Sequence, residues 1–150
     1  MSQIILLDSG PLGLVTNPKA SGETFVCYQW MVSQTHQGRK VLIPEIADYE
    51  VRRELIRAGK MRGLARLDRF KIDFGYLAIS TATMILAAEL WAKSRSMGLP
   101  NASDDALDAD VILCAQAMLL EEFGHQVTVA STNIKHLEKF VTALNWSDIT

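Results

Sequence analysis

Three carboxylates in this chain stand where their type and placement could do chemistry. Asp8 closes IILLD, a short apolar run that ends in an acid and turns at once into SGPL. An ionised carboxylate at the end of a buried strand is costly unless it is hydrogen-bonded or binds a cation. Glu50 lies mid-helix in IPEIADYEVRREL, with Ile46 and Ala47 behind it and Arg53 and Glu54 ahead, at the border of the apolar and solvent faces. Asp110 lies in ALDADVILCAQAM, where Leu107, Val111, Cys114 and Met118 make an apolar stripe and Asp110 sits at its rim. Each has a bland reading as well. Asp8 can cap the turn that follows, and Glu50 can form a surface pair with Arg53. Asp104, Asp105 and Asp108 suit the N-terminus of the next helix, with Ser103 as an alternative cap. Asp108 reads equally well as a ligand, and Asp110 is less easily explained by a helix start already supplied with acids.

Together these side chains suit a hard divalent cation. Magnesium and manganese take oxygen ligands and keep several waters, so two or three carboxylates suffice. Such an ion activates water and stabilises charge on a phosphoryl oxygen. Carboxylates alone would repel a phosphodiester, so phosphate chemistry here needs the ion. Eight of the fifteen basic residues fall between Arg52 and Lys71. They read either as a rail for further phosphates, with Arg52, Arg53, Arg57 and Lys60 nearest the acids, or as a solvated helical face. An aspartyl-nucleophile phosphatase is disfavoured, because that chemistry usually uses DxDx[TV] and the sequence is DSGPL.

The elements that must position these groups follow from pattern. QIILL (3–7), RKVLIP (39–44) and QVTVA (126–130) read as short buried strands. Helices are expected over Gly22 to Gln37, roughly 45–58, about 61–70, 81–98 and about 105–122, with a short one after STN. Gly10-Pro11 and Asn17-Pro18 are read as chain breaks, DFGYLAIS as extended or irregular, and ALNWSDI as a closing edge strand. Strands alternating with helices predict a three-layer α/β/α fold with a central, mainly parallel sheet, in one domain over 1–150. Ligands in such sheets bind beyond the carboxyl ends of the strands, which is where Asp8 and the Ser131-Thr132-Asn133 cluster fall.

With 49% hydrophobic and 21% charged residues and a net charge of −2, the composition is that of an ordinary globular domain. No apolar stretch approaches a membrane span, and no signal-peptide pattern opens the chain, so a cytoplasmic protein is expected. Cys27 and Cys114 lie in apolar helical patterns and read as core residues. The three histidines show no paired-ligand spacing, which argues against a nitrogen- or sulfur-ligated metal.

In order, IILLDSGPL, IPEIADYEVRREL, DADVILCAQA and VTVASTNIKHL resemble the four motifs of the PIN domain, the fold of metal-dependent ribonucleases that includes VapC-type toxins. The resemblance spans nearly the whole chain. It implies that Asp8, Glu50 and Asp110 are the catalytic acids around Mg2+ or Mn2+, with Asn133 at the fourth ligand position and Asp108 as an additional ligand. Ser9 and Thr132 would support them. It further implies cleavage of single-stranded or looped RNA, a homodimer, and inhibition by an antitoxin protein. Asn133 brings no negative charge, which keeps open the alternative of a catalytically weak or inactive RNA-binding or protein-interaction module.

Overall fold

In the computed structural model, residues 2–19, 22–96 and 104–150 are described, with side chains in the last segment described from Leu107 onward. Five parallel strands form the sheet: β1 (Gln3–Leu7), β2 (Lys40–Pro44), β3 (Tyr76–Leu77), β4 (Gln126–Ala130) and β5 (Ala143–Leu144). Their order is β3-β2-β1-β4-β5, and every pairing is parallel. The expected three-layer, mainly parallel architecture is the observed one, and the sheet is parallel throughout.

Side chains on a strand alternate between faces, so β1 feeds two cores. Ile4 and Leu6 pack with Val127, Val129 and the buried faces of α5 (Thr81–Ser96) and α6 (Asp104–Glu122). Ile5 and Leu7 pack on the other side with α1 (Ser9–Thr16), α2 (Gly22–His36), α3 (Glu45–Arg57) and α4 (Met61–Asp73). A short α7 (Ile134–Leu137) follows β4, and a 3-10 turn at Trp146–Asp148 follows β5. Cys27 and Cys114 are free and buried in these cores. No helix among the described residues is long and apolar enough to cross a membrane.

The main departure from the sequence reading is α1, where Gly10-Pro11 was expected to break the chain. Pro11 occupies the third helical position, within the first turn, where an amide N–H would lack an intrahelical partner in any case. Asp8 caps this helix by accepting the Ser9 amide, while Leu12 and Val15 bury its inner face. Gly10 is required by a close approach: a Cβ there would lie 2.6 Å from Thr132 Oγ1. The basic helix also runs three residues further than expected, to Asp73, and DFGYLAIS contributes only the two-residue edge strand β3. The stretch 97–103, which includes most of the expected polar loop, lies outside the described residues.

Candidate active site

From the sheet centre, β2 and β3 lie beyond β1, while β5 lies beyond β4. The strand order therefore reverses between β1 and β4, and their carboxyl ends bracket the crevice where parallel sheets bind ligands. Asp8 stands at one lip and Ser131 at the other. Ser131 Oγ donates to Asp8 Oδ2 at 2.6 Å, and the Ser9 amide donates to Oδ1 at 2.7 Å. The Asn133 amide in turn donates to Ser131 Oγ at 2.9 Å. Two directed donors thus hold a buried Asp8 carboxylate in one orientation. Capping α1 and facing the crevice are tasks of the same side chain.

Helix α3 brings Glu50 to this crevice and α6 brings Asp110. Burial pushes the Glu50 carboxyl above the usual glutamate range; repulsion from Asp8 and Asp110 adds to the rise and Arg53 opposes it. Burial likewise raises Asp110, followed by the charge of Asp8, with His136 acting against both. His136 Nδ1 lies 3.2 Å from Asp110 Oδ2. Three acids from distant parts of the chain therefore share one local field. Burial, Asp110 and Asp8 also push the neighbouring Cys114 thiol up to about 12, which keeps it protonated and unreactive at neutral pH.

The donor set fits a magnesium- or manganese-like ion in hardness and charge: oxygen ligands whose mutual repulsion a dication would relieve. Among the described residues, however, no three His, Cys, Asp or Glu side chains are already closed into a cage. Side-chain motion would have to complete one; among the described residues the Glu50 carboxylate has no hydrogen-bond partner, whereas Asp8 is held by Ser131 and the Ser9 amide and Asp110 lies against His136.

The other expected site residues fall variously. Asp108 is exposed and faces a cavity with Met84, Trp91 and Val111, away from Asp110. Two residues on a helix are about 200° apart, so both acids cannot face one crevice. Asn133 is exposed at the crevice mouth and its side chain makes no cap bond. Ser9 lines a groove of about 510 Å³ with Glu50, Arg53, Arg57 and Lys60. Thr132 is exposed and packs on Gly10, so the hydroxyl that meets Asp8 belongs to Ser131. Arg52 bridges Asp48 at 2.9 Å and Asp68 at 2.6 Å, which engages it within the fold. Arg57 pairs with Glu54 at 2.8 Å, and Arg53 stacks over the Tyr49 ring at 5.1 Å from its centroid.

Sequence reasoning placed Ser131 only within the cluster after β4, with Thr132 as the supporting hydroxyl, and did not single out His136. Strand parity was the available signal for the first. Ser131 continues the face of Val127 and Val129, which on β1 is the face of Ile4, Leu6 and Asp8, whereas Thr132 continues the opposite face with Ala130. For His136 the spacing gives no such signal, because its contact with Asp110 joins residues 26 apart through the fold.

Similar architectures occur in solved toxin–antitoxin complexes. The crystal structure of VapBC2 from Rickettsia felis bound to a DNA fragment from their promoter matches with a TM-score of 0.71 and 16% identity, over 96% of this chain and 99% of that one. FitAcB from Neisseria gonorrhoeae matches at 0.69 and 16%, over 97% and 99%. VapBC-1 from nontypeable Haemophilus influenzae matches at 0.69 and 10%, over 97% and 100%. The chain has a PIN-like fold. No family model matches the sequence, and no curated protein does. At these identities the shared property is the fold.

Proposed function

We propose that this protein is a Mg2+- or Mn2+-dependent endoribonuclease that hydrolyses phosphodiester bonds in single-stranded or looped RNA, and that it is the toxin of a toxin–antitoxin pair. The observation that carries the reading is the convergence of Asp8, Glu50 and Asp110 on one crevice at the strand-order switch, with the Glu50 and Asp110 carboxyls raised first by burial and then by the charge of Asp8. Asp8, Glu50 and Asp110 would hold the ion, with Asn133 near enough in the chain path to assist through its side-chain oxygen. When bound, the ion supplies water activation and neutralises charge on the phosphoryl oxygens. The chain's own part is positional. Ser131 and the Ser9 amide fix Asp8, His136 restrains one oxygen of Asp110, and Glu50 is left able to adjust. Looped RNA is the expected substrate because its backbone and bases are accessible, unlike the deep, narrow major groove of duplex RNA. The complexes that share this fold are VapBC and FitAB assemblies, which supports an antitoxin protein as partner. A homodimer and a cytoplasmic location belong to the same reading.

A non-cleaving RNA-binding module is the second reading. It draws on the neutral, exposed Asn133 and on the unclosed spacing of the acids. Cleavage of a fluorescently labelled, unstructured RNA separates the two. Wild type with manganese is expected to cut, whereas wild type in EDTA and Asp8→Asn are not. Asparagine caps a helix as well as aspartate does, so Asp8→Asn keeps α1. Equal degradation in all three samples would point to a contaminant, and no degradation in any would favour the binding module.

A further inference from the structure

Beside the acidic crevice, the outer surface of α1 carries a feature that the catalytic reading does not use. The groove that begins at Ser9 and Glu50 adjoins a second one of about 490 Å³, and the two share Gly13, Thr16, Leu55 and Lys60. The second groove ends at Lys19 and Arg62.

Two breaches of local helix rules meet here. Gly13 lies inside α1, where glycine is less favourable than alanine. The other close-packed helical glycines have a reason: a Cβ at Gly10 would strike Thr132, and one at Gly63 would lie 2.8 Å from Leu55. A Cβ at Gly13 would meet nothing within 4 Å. Packing therefore does not require this glycine, and its bare surface forms the floor common to both grooves. The second breach is the start of α4. Its N-cap is Lys60, with no side-chain cap bond and no acid in the first turn, and Arg62 follows within that turn. Cations at the positive end of a helix dipole are unfavourable, and an anion there is favourable. By contrast α3 opens with Glu45 and Asp48, as the dipole prefers. Lys19, Lys60 and Arg62 have no ion pair among the described residues, whereas Arg52, Arg57, Arg69 and Lys71 all have carboxylate partners. Local preferences are broken in this way where a ligand completes the site.

We propose that the groove floored by Gly13 and bordered by Lys60, Arg62 and Lys19 binds the phosphate backbone of a single strand leading away from the acidic crevice. That the strand is RNA rests on the nuclease reading; that the occupant is a polyanion rests on the groove. The bare floor leaves room for a backbone to lie close to α1, and the cations and the uncapped end of α4 supply its counter-charge.

Fluorescence anisotropy with a labelled twelve-nucleotide oligouridylate in EDTA tests this without any cleavage. In Gly13→Leu the new side chain enters open space, so the melting temperature should hold or rise while affinity falls at least tenfold. Lys60→Glu with Arg62→Glu should weaken binding by a similar factor and flatten the salt slope by about 1.4, from about 0.7 per lost phosphate contact. Arg69→Ala, whose charge is paired with Asp73, should bind as wild type does. Wild-type affinity in Gly13→Leu with an intact fold would overturn the proposal, and so would tighter binding of an acidic peptide than of the oligonucleotide. Oligonucleotide binding that depends on these residues in a protein that never cuts RNA would uphold the groove and refute the nuclease. Manganese-dependent cutting indifferent to them would do the reverse.

Discussion

Asp48 and Asp110 invite comparison because both are helical aspartates of similar side-chain exposure, 10% and 15%. Asp48 is closed. Arg52 holds it at 2.9 Å, Lys71 approaches to 3.8 Å, and Arg52 reaches on to Asp68. Asp110 is open: its neighbours are His136 and two further acids, and its carboxyl is raised by burial and by Asp8. One cluster has its counter-charge built into the chain, and the other would receive it from the proposed ion. Buried acids left in mutual repulsion cost stability, and that cost is typical of functional sites.

The comparison is broken most severely by Asp110→Asn. Cleavage should fall by at least about a thousandfold, roughly 4 kcal/mol of barrier, while thermal unfolding holds or rises by about 2–4 °C as repulsion is relieved. Marked unfolding of the variant would make Asp110 structural, like Asp48. The converse substitution, Asp48→Asn, removes the carboxylate that Arg52 and Lys71 share and leaves Arg52 with Asp68. It should lower stability by about 2 kcal/mol in urea titration and leave cutting per folded molecule nearly unchanged. A loss of activity without loss of stability there would merge the two clusters.

Titration sharpens the contrast. Raised carboxyls in Glu50 and Asp110 mean that the folded state holds protons the unfolded chain has already released. Their contribution is therefore most favourable at acid pH and is lost as pH rises from the ordinary carboxylate range, about 4, through the raised values. The melting-temperature gap between Asp110→Asn and wild type should thus be widest near neutrality and close on acidification. A gap that widens in acid would give the sign of a salt-bridged carboxylate instead. The smallest effect belongs to the exposed pair of Arg69 and Asp73. Arg69→Ala should change stability by less than about 0.5 kcal/mol, and a larger change would show that this face does more than carry charge.

Much of this was legible in the chain. Continuous apolar runs set the three main strands, and the alternation with helices set the parallel sheet. Asp110 stood out as an acid beyond what its helix start needed, and Asp8 and Glu50 as members of an ordered set of motifs, although each had a structural reading and Asp8 does cap α1. What pattern could not supply was pairing across the fold. Arg52 looked free because Asp68 meets it from another helix, although Asp48 at i−4 was a visible clue. His136 reaches Asp110 only through the packing of α7 on α6. Helix α1 was hidden because Pro11 reads as a breaker until its place in the first turn is known.

The central claim is that Asp8, Glu50 and Asp110 jointly hold one divalent ion. Anomalous diffraction from crystals grown with manganese addresses it directly. We expect a single strong peak in the crevice between β1 and β4, with all three carboxylates drawn toward it. Manganese bound elsewhere, or a crevice where the acids stay apart at saturating manganese, would contradict the claim.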